Sequence, residues 1–208
     1  MLSLYTLLNL GLFRPVSAQK IFSEGVIRYD VFLNDSKKPD GVYLLTIKNG
    51  FIKRELAMNS GFNNVVIFNH KTGTSVSMNP EDGNKYALEL SATELEAQNE
   101  RYRYAEITVG NAVDKKAGYS CKEAQVKYKD GASARFCFTE ELLPPNEHLN
   151  TMFPGLKGIP LIYEVNSSGL KSMRFEANRI ETRSVDLKTF DIPKEYKLVS
   201  RADLEKLK

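Results

Sequence analysis

A β-dominated fold is predicted by three observations: apolar and polar residues alternate over short stretches, turn-forming residues recur between those stretches, and few segments carry helical periodicity. Residues 25–33 (GVIRYDVFL) set Ile27, Tyr29, Val31 and Leu33 against Arg28 and Asp30, the period of a half-buried strand. Residues 42–48 (VYLLTIK) and 51–58 (FIKRELAM) follow, joined at Asn49-Gly50, whose residues tolerate the positive φ of a tight hairpin turn. Further strands are expected at 64–68 (NVVIF), 74–78 (TSVSM), 85–90 (KYALEL) and 104–110 (YAEITVG). Asp40-Gly41, Lys71-Thr72-Gly73 and Asp82-Gly83 punctuate the runs as a meandering sheet requires.

Two segments depart from the strand pattern. Ser91 precedes ATELEAQNERY (92–102), and Glu94 completes a capping box, so a helix starts there. It reads either as a lid over an apolar surface or as a plain connector. A short second helix, RADLEKLK (201–208), follows Ser200 as its cap. The most irregular piece is 142–158 (LLPPNEHLNTMFPGLKG), where Pro144-Pro145 forbid helix or ladder pairing and Met152-Phe153 are exposed unless packed. It leads into IPLIYEV (159–165), where Pro160 is expected as the first residue of a strand, the position at which a missing N–H costs least.

Cys121 and Cys137 flank YKDGA (128–132), a hairpin signal between two alternating runs. A two-residue loop at Asp130-Gly131 would put Cys137 on the opposite sheet face from Cys121. A three-residue loop closed by Gly131 pairs Tyr128 with Ala132 and Cys137 with Glu123, leaving Cys121 as a same-face diagonal neighbour at roughly 7–8 Å. A disulfide then needs one more bulge or a strong local twist to reach the usual Cα span. Bonded or not, the pair has a structural role.

The chain has 208 residues, 42% hydrophobic and 26% charged, enough for one sizeable soluble domain. Its 29 basic and 26 acidic residues are interleaved, and Lys37-Lys38 and Lys115-Lys116 read as solvated loops, so no footprint for nucleic acid stands out. Leu4 to Phe13 is apolar and uncharged, with small residues at Ser17 and Ala18. That layout predicts a signal peptide over residues 1–18, cleaved after Ala18, and a single β-rich domain over 19–208. The apolar run is about half the roughly 20 residues a membrane-spanning helix requires. Export into an oxidising compartment suits a disulfide.

Five pieces in order, GVIRYDV (25–31), KKAGYSC (115–121), ARFCFTEEL (134–142), LKGIPLIYEV (156–165) and TFDIPKEYKLV (189–199), resemble a family of small exported bacterial β-proteins near the GLPGLI family. The chain departs from that pattern at Phe136-Cys137-Phe138, where the family shows a Trp. The fold of this family looks like that of the LolA/LolB lipoprotein carriers. The resemblance implies a mainly β (α+β) architecture: a strongly curved antiparallel sheet, an unclosed barrel, holding one or two short helices or a loop against its concave side. The strand from Pro160 then presents Leu161, Tyr163 and Val165 to one face, and these three are the ligand-cavity candidates.

No catalytic constellation assembles from the residues. His70 sits in a turn and His148 in the Pro-rich loop, and both read as surface residues; Cys137 is better used in a strand core than as a nucleophile. Clustered metal ligands and phosphate loops are absent, and Glu140-Glu141 point apart on an extended chain. The expected function is therefore non-enzymatic and without cofactor: an exported carrier whose concave face takes a lipid or acyl chain. The alternative is a cell-envelope assembly factor with a filled core that acts through a protein partner.

Overall fold

The computed structural model describes residues 19–80, 83–165 and 172–206; the expected signal peptide lies outside them. Six consecutive strands form a first meander: β2 (Glu24–Leu33), β3 (Gly41–Lys48), β4 (Phe51–Met58), β5 (Asn63–Asn69), β6 (Thr74–Met78) and β7 (Tyr86–Leu90). They are preceded by β1 (Lys20–Ile21) and followed by α1 (Ala92–Gln98). A second run contains β8 (Glu106–Lys116), β9 (Tyr119–Lys127), β10 (Ser133–Thr139), the short β11 (Leu142–Leu143), β12 (Ile159–Val165) and β13 (Met173–Glu181). The chain ends in β14 (Lys197–Val199) and α2 (Arg201–Lys206).

All but β1 and β11 belong to one curved sheet of 12 strands in the order β14-β7-β6-β5-β4-β3-β2-β13-β12-β10-β9-β8. The two end strands of that order do not pair with each other, so the sheet is mainly antiparallel and unclosed, as the family resemblance implies. Its two halves meet where β13 pairs antiparallel with β2, with Phe175 opposite Val31 and Ala177 opposite Tyr29. Two pairings are parallel: β14 with β7, and β1 with β11. The first arises because residues 182–196 cross one face of the first meander before β14 reaches the far edge. Val185 and Phe190 of that crossing segment are buried against Ile67, Val76, Met78 and Ala87. Strand period then assigns the other face, bearing Tyr29, Tyr43, Leu45, Arg54, Val66 and Phe68, to the concave side.

Local signals act as the sequence predicts at several points. Asn49 (φ 48°) and Gly50 (φ 88°) make the β3–β4 turn, and no residue without left-handed freedom would serve both positions. Ser91 and Glu94 complete the capping box of α1, and Ser200 accepts from the Asp203 amide at α2. Two expectations shift by small amounts. Pro160 is the second residue of β12, not the first; the β10–β12 register shifts between Cys137 and Phe138, so the missing N–H falls beside a bulge. Lys115 and Lys116 lie in β8 and not in a loop, and Lys116 reaches Glu176 at 2.6 Å.

The hairpin between β9 and β10 takes the three-residue form: the Tyr128 amide donates to Ala132, and Gly131 has φ 84°. Cys137 faces Glu123, and Cys121 is bonded to Cys137 with a Cα separation of 5.4 Å. The β9–β10 ladder keeps its register from Ser133 to Phe138, so the diagonal pair is brought within reach by local twist and not by a bulge between these two strands. The bridge closes a loop of 16 residues and should contribute about 3 kcal/mol, so the Cys121→Ser/Cys137→Ser pair is expected to lower stability by about that amount in urea titration. An unchanged midpoint would contradict the assignment of a stabilising role.

Candidate ligand-binding cavity

Period-2 alternation on neighbouring strands carries one set of side chains onto the concave floor: Tyr29 of β2, Tyr43 and Leu45 of β3, Arg54 of β4, Val66 and Phe68 of β5, Ser75 of β6 and Tyr163 of β12. Four rings interlock across the junction of the two sheet halves. Tyr163 stacks on Phe175 at 4.9 Å, Tyr43 meets Phe175 edge-on at 5.3 Å, and Tyr29 meets Tyr163 edge-on at 5.8 Å. Tyr29 is buried, and its hydroxyl donates to the carbonyl of Pro160 at 2.9 Å, tying β2 to β12 across the intervening strand.

The walls come from irregular segments. On one side stand Leu95, Glu96 and Asn99 of α1 and its C-terminal cap, with Tyr102 and Arg103 beyond. On the other runs residues 147–155, pinned at four places. Phe153 is buried against Phe136 at 4.3 Å, and the Asn150 amide donates to the Gly158 carbonyl at 2.8 Å. The His148 ring lies over Phe68 at 4.4 Å, and Arg54 Nη2 donates across the concavity to the His148 carbonyl at 2.8 Å. Met152-Phe153 are thus packed, not exposed. Floor and walls enclose an open cavity of about 920 Å³.

Burial pushes the phenols of Tyr29, Tyr43 and Tyr163 above their ordinary range, and the Arg54 guanidinium opposes the shift at Tyr43 and Tyr163. Tyr128, buried under Tyr102 in the neighbouring cluster, is pushed up to about 12, again chiefly by burial. These hydroxyls stay protonated at neutral pH and act there as hydrogen-bonding groups.

Of the three cavity residues read from the sequence, Tyr163 lines the cavity. Leu161 is fully buried in the core behind it, and Val165 packs half-buried against the same core without reaching the lining. β12 also contributes Ile159 and Pro160 to the cavity wall. Sequence reasoning passed over Tyr29, Tyr43 and above all Arg54. A usable signal was present: in FIKRELAM the face of Ile52, Arg54 and Leu56 is apolar but for one charge. His148 is exposed, as read, yet its ring roofs Phe68 at the cavity edge. Glu140 and Glu141 diverge, the first to Lys122 and the second to the Ser120 amide. Among the described residues, no group of three or more His, Cys, Asp or Glu is arranged to hold a metal ion. Within the same residues, no helix is long and apolar enough to cross a membrane.

No protein-family model matches the sequence, and no curated protein does. Solved structures match much of the chain at low identity. PNGF-II in a C2 space group shares 13% identity at a TM-score of 0.48, over 88% of this chain and 32% of that one. MucB shares 10% identity at a TM-score of 0.36, over 84% of this chain and 60% of that one. The MucA/MucB complex of Pseudomonas aeruginosa gives 12% identity and a TM-score of 0.44, over 86% and 59%. The chain spans less than two thirds of each.

The tyrosine shifts give a signed expectation. Unfolded tyrosines ionise near pH 10, whereas the buried ones hold their protons beyond it. Their contribution is therefore fully present below about pH 10 and lost as pH rises toward and past about 12. Urea midpoints should fall steeply above about pH 10, and Tyr163→Phe should flatten that fall relative to the parent chain. A parent and variant that decline in parallel would mean Tyr163 is not sequestered.

Proposed function

We propose that the chain is an exported, non-enzymatic carrier that holds a lipid or acyl chain in the concavity of its sheet. The observation that carries this reading is the open cavity of about 920 Å³, which lies in the size range of small-molecule sites. Its floor combines Leu45, Val66, Phe68 and aromatic rings, and apolar area removed from water there stabilises a bound chain by roughly 25 cal/mol per Å². Export is supported by the bonded cysteines, by the signal-peptide layout of residues 1–18 and by the family motifs. A carrier of this kind needs no cofactor, and Cys137, locked in the disulfide, supplies no nucleophile.

The second reading, an envelope assembly factor acting through protein contacts, has one observation in its favour. Among the described residues β8 is an unpaired edge of the sheet, and Val109 and Val113 on it are 47% and 58% exposed.

Native mass spectrometry of residues 19–208 purified from a bacterial periplasm, followed by organic extraction, separates the two. The carrier reading expects a bound mass that extracts as lipid. A clean apo mass that persists after incubation with lipids would overturn it and favour the edge-strand reading. In addition, Val66→Trp, which fills the floor between Arg54 and Ser77, is expected to weaken binding of the extracted lipid by at least about tenfold with an unchanged circular dichroism spectrum.

A further inference from the structure

Among the described residues, no acidic side chain pairs with Arg54. On β4 it is flanked on its own face by Ile52, fully buried, and by Leu56, packed on the core. Its cross-strand neighbours are Leu45 on β3 and Val66 on β5, both lining the cavity. Arg54 is half-buried in that frame and keeps access to solvent through the open cavity, so its charge is tolerated there without being called for by its neighbours. Among the described residues, however, Arg54 forms no ion pair; it donates to the His148 carbonyl at 2.8 Å, and its charge acts on the nearby Tyr43 phenol. The neighbouring Lys53, on the opposite face, meets Glu55 at 2.9 Å, as a surface cation ordinarily does. The other cation of the cavity, Arg103, is already engaged by Glu100 at 3.1 Å. That one neutral carbonyl leaves most of a five-donor fork without a protein partner at the open cavity.

We infer that Arg54 receives the oxyanion head group, carboxylate or phosphate, of a single-chain amphiphile whose acyl chain occupies the cavity. The inference deepens the carrier reading and rests on it. The planar fork suits a carboxylate or phosphate, which it can bind through two parallel charge-assisted bonds. Tyr43, protonated at neutral pH, donates or accepts beside it. Glu96 and Glu147 line the cavity as exposed residues, so an anion is favoured at the Arg54 floor over the acidic rim.

Isothermal titration at about pH 8, where a fatty acid bound in water is ionised, compares laurate, dodecyl phosphate and 1-dodecanol on residues 19–208. On the parent chain, one or both anions should bind about 10- to 100-fold more tightly than the alcohol, and which anion leads identifies the head group. Arg54→Gln should remove that preference while leaving dodecanol affinity within about threefold. Arg54→Lys should retain part of it, since the charge remains and the fork is lost. Equal affinity of the parent for all three ligands overturns the anion inference and leaves the carrier reading standing. Binding of none overturns both. The preference of the parent chain decides the matter even if an Arg54 variant does not fold.

Discussion

The pairing of β13 with β2 is the constraint on which the rest of the molecule depends. Among the described residues it is the one ladder that joins the two meanders of the sheet, and it links residues as far apart in the chain as Asp30 and Glu176. Bringing such distant strands together costs loop-closure entropy, and the gain that offsets it is apolar contact at the seam. Tyr29 and Tyr43 arrive from one half, Tyr163 and Phe175 from the other, and their rings interlock across the join. A slip of one residue in the β13–β2 register would turn Phe175 and Ala177 to the opposite face and dissolve the cluster. The bulge between Ala177 and Arg179 fixes that register further: Asn178, left out of the ladder, donates to Asp30 at 2.7 Å.

The two faces of the sheet are covered in different ways, which explains why one is filled and the other hollow. Against the first meander, residues 182–196 lie directly on the sheet and insert Val185 and Phe190 among aliphatic side chains that need no polar partner. On the concave side the floor bears phenol hydroxyls and a guanidinium. An apolar cover seated on them would strand those groups without hydrogen bonds, at a cost of several kcal/mol each on transfer scales. The covering segments therefore touch the floor at a few points, Phe153 on Tyr163, His148 on Phe68 and the His148 carbonyl on Arg54, and bridge the space between. Tyr29 is the exception that confirms the cause, because the Pro160 carbonyl satisfies its hydroxyl and it is fully packed.

Much of the architecture was legible in local chemistry. Ile27, Tyr29 and Val31 alternate as a two-faced strand must, Asn49-Gly50 makes the turn its φ tolerance predicts, and Ser91 with Glu94 starts the helix. What could not be read is what depends on partners distant in sequence. β8 continues through Gly110 and Asn111 to Lys116 because β9 pairs with it on both sides of a bulge, although the residues themselves lose the strand pattern. β1 and β11 exist only as each other's complement, since two-residue strands carry no periodicity. Leu161 and Tyr163 share an alternation but not a fate: Leu161 is the extra residue of the β10–β12 bulge and is buried in the core, whereas Tyr163 stays in the ladder and lines the cavity.

Arg54 shows where pattern reading yields to tertiary explanation. In a sequence whose local choices agree with its fold, a residue that contradicts the face it sits on either has a structural partner or answers to something outside the chain. Glu176, charged in the middle of β13, has its partners in Lys116 and Arg174, and Glu24 has Lys48 at 2.7 Å and the Val185 amide at 2.7 Å. Each of those charges is explained by the fold, because removing it would unpair a neighbour. Removing the charge of Arg54 would cost the fold one bond to a loop carbonyl and would relieve an apolar frame of an ill-matched cation. A hydrophobic residue there would pack with Leu45, Val66 and Ile52 as the alternation asks. Arg54 is thus the charge on this face whose place the neighbouring side chains do not account for, which is why the proposed head-group contact is assigned to it.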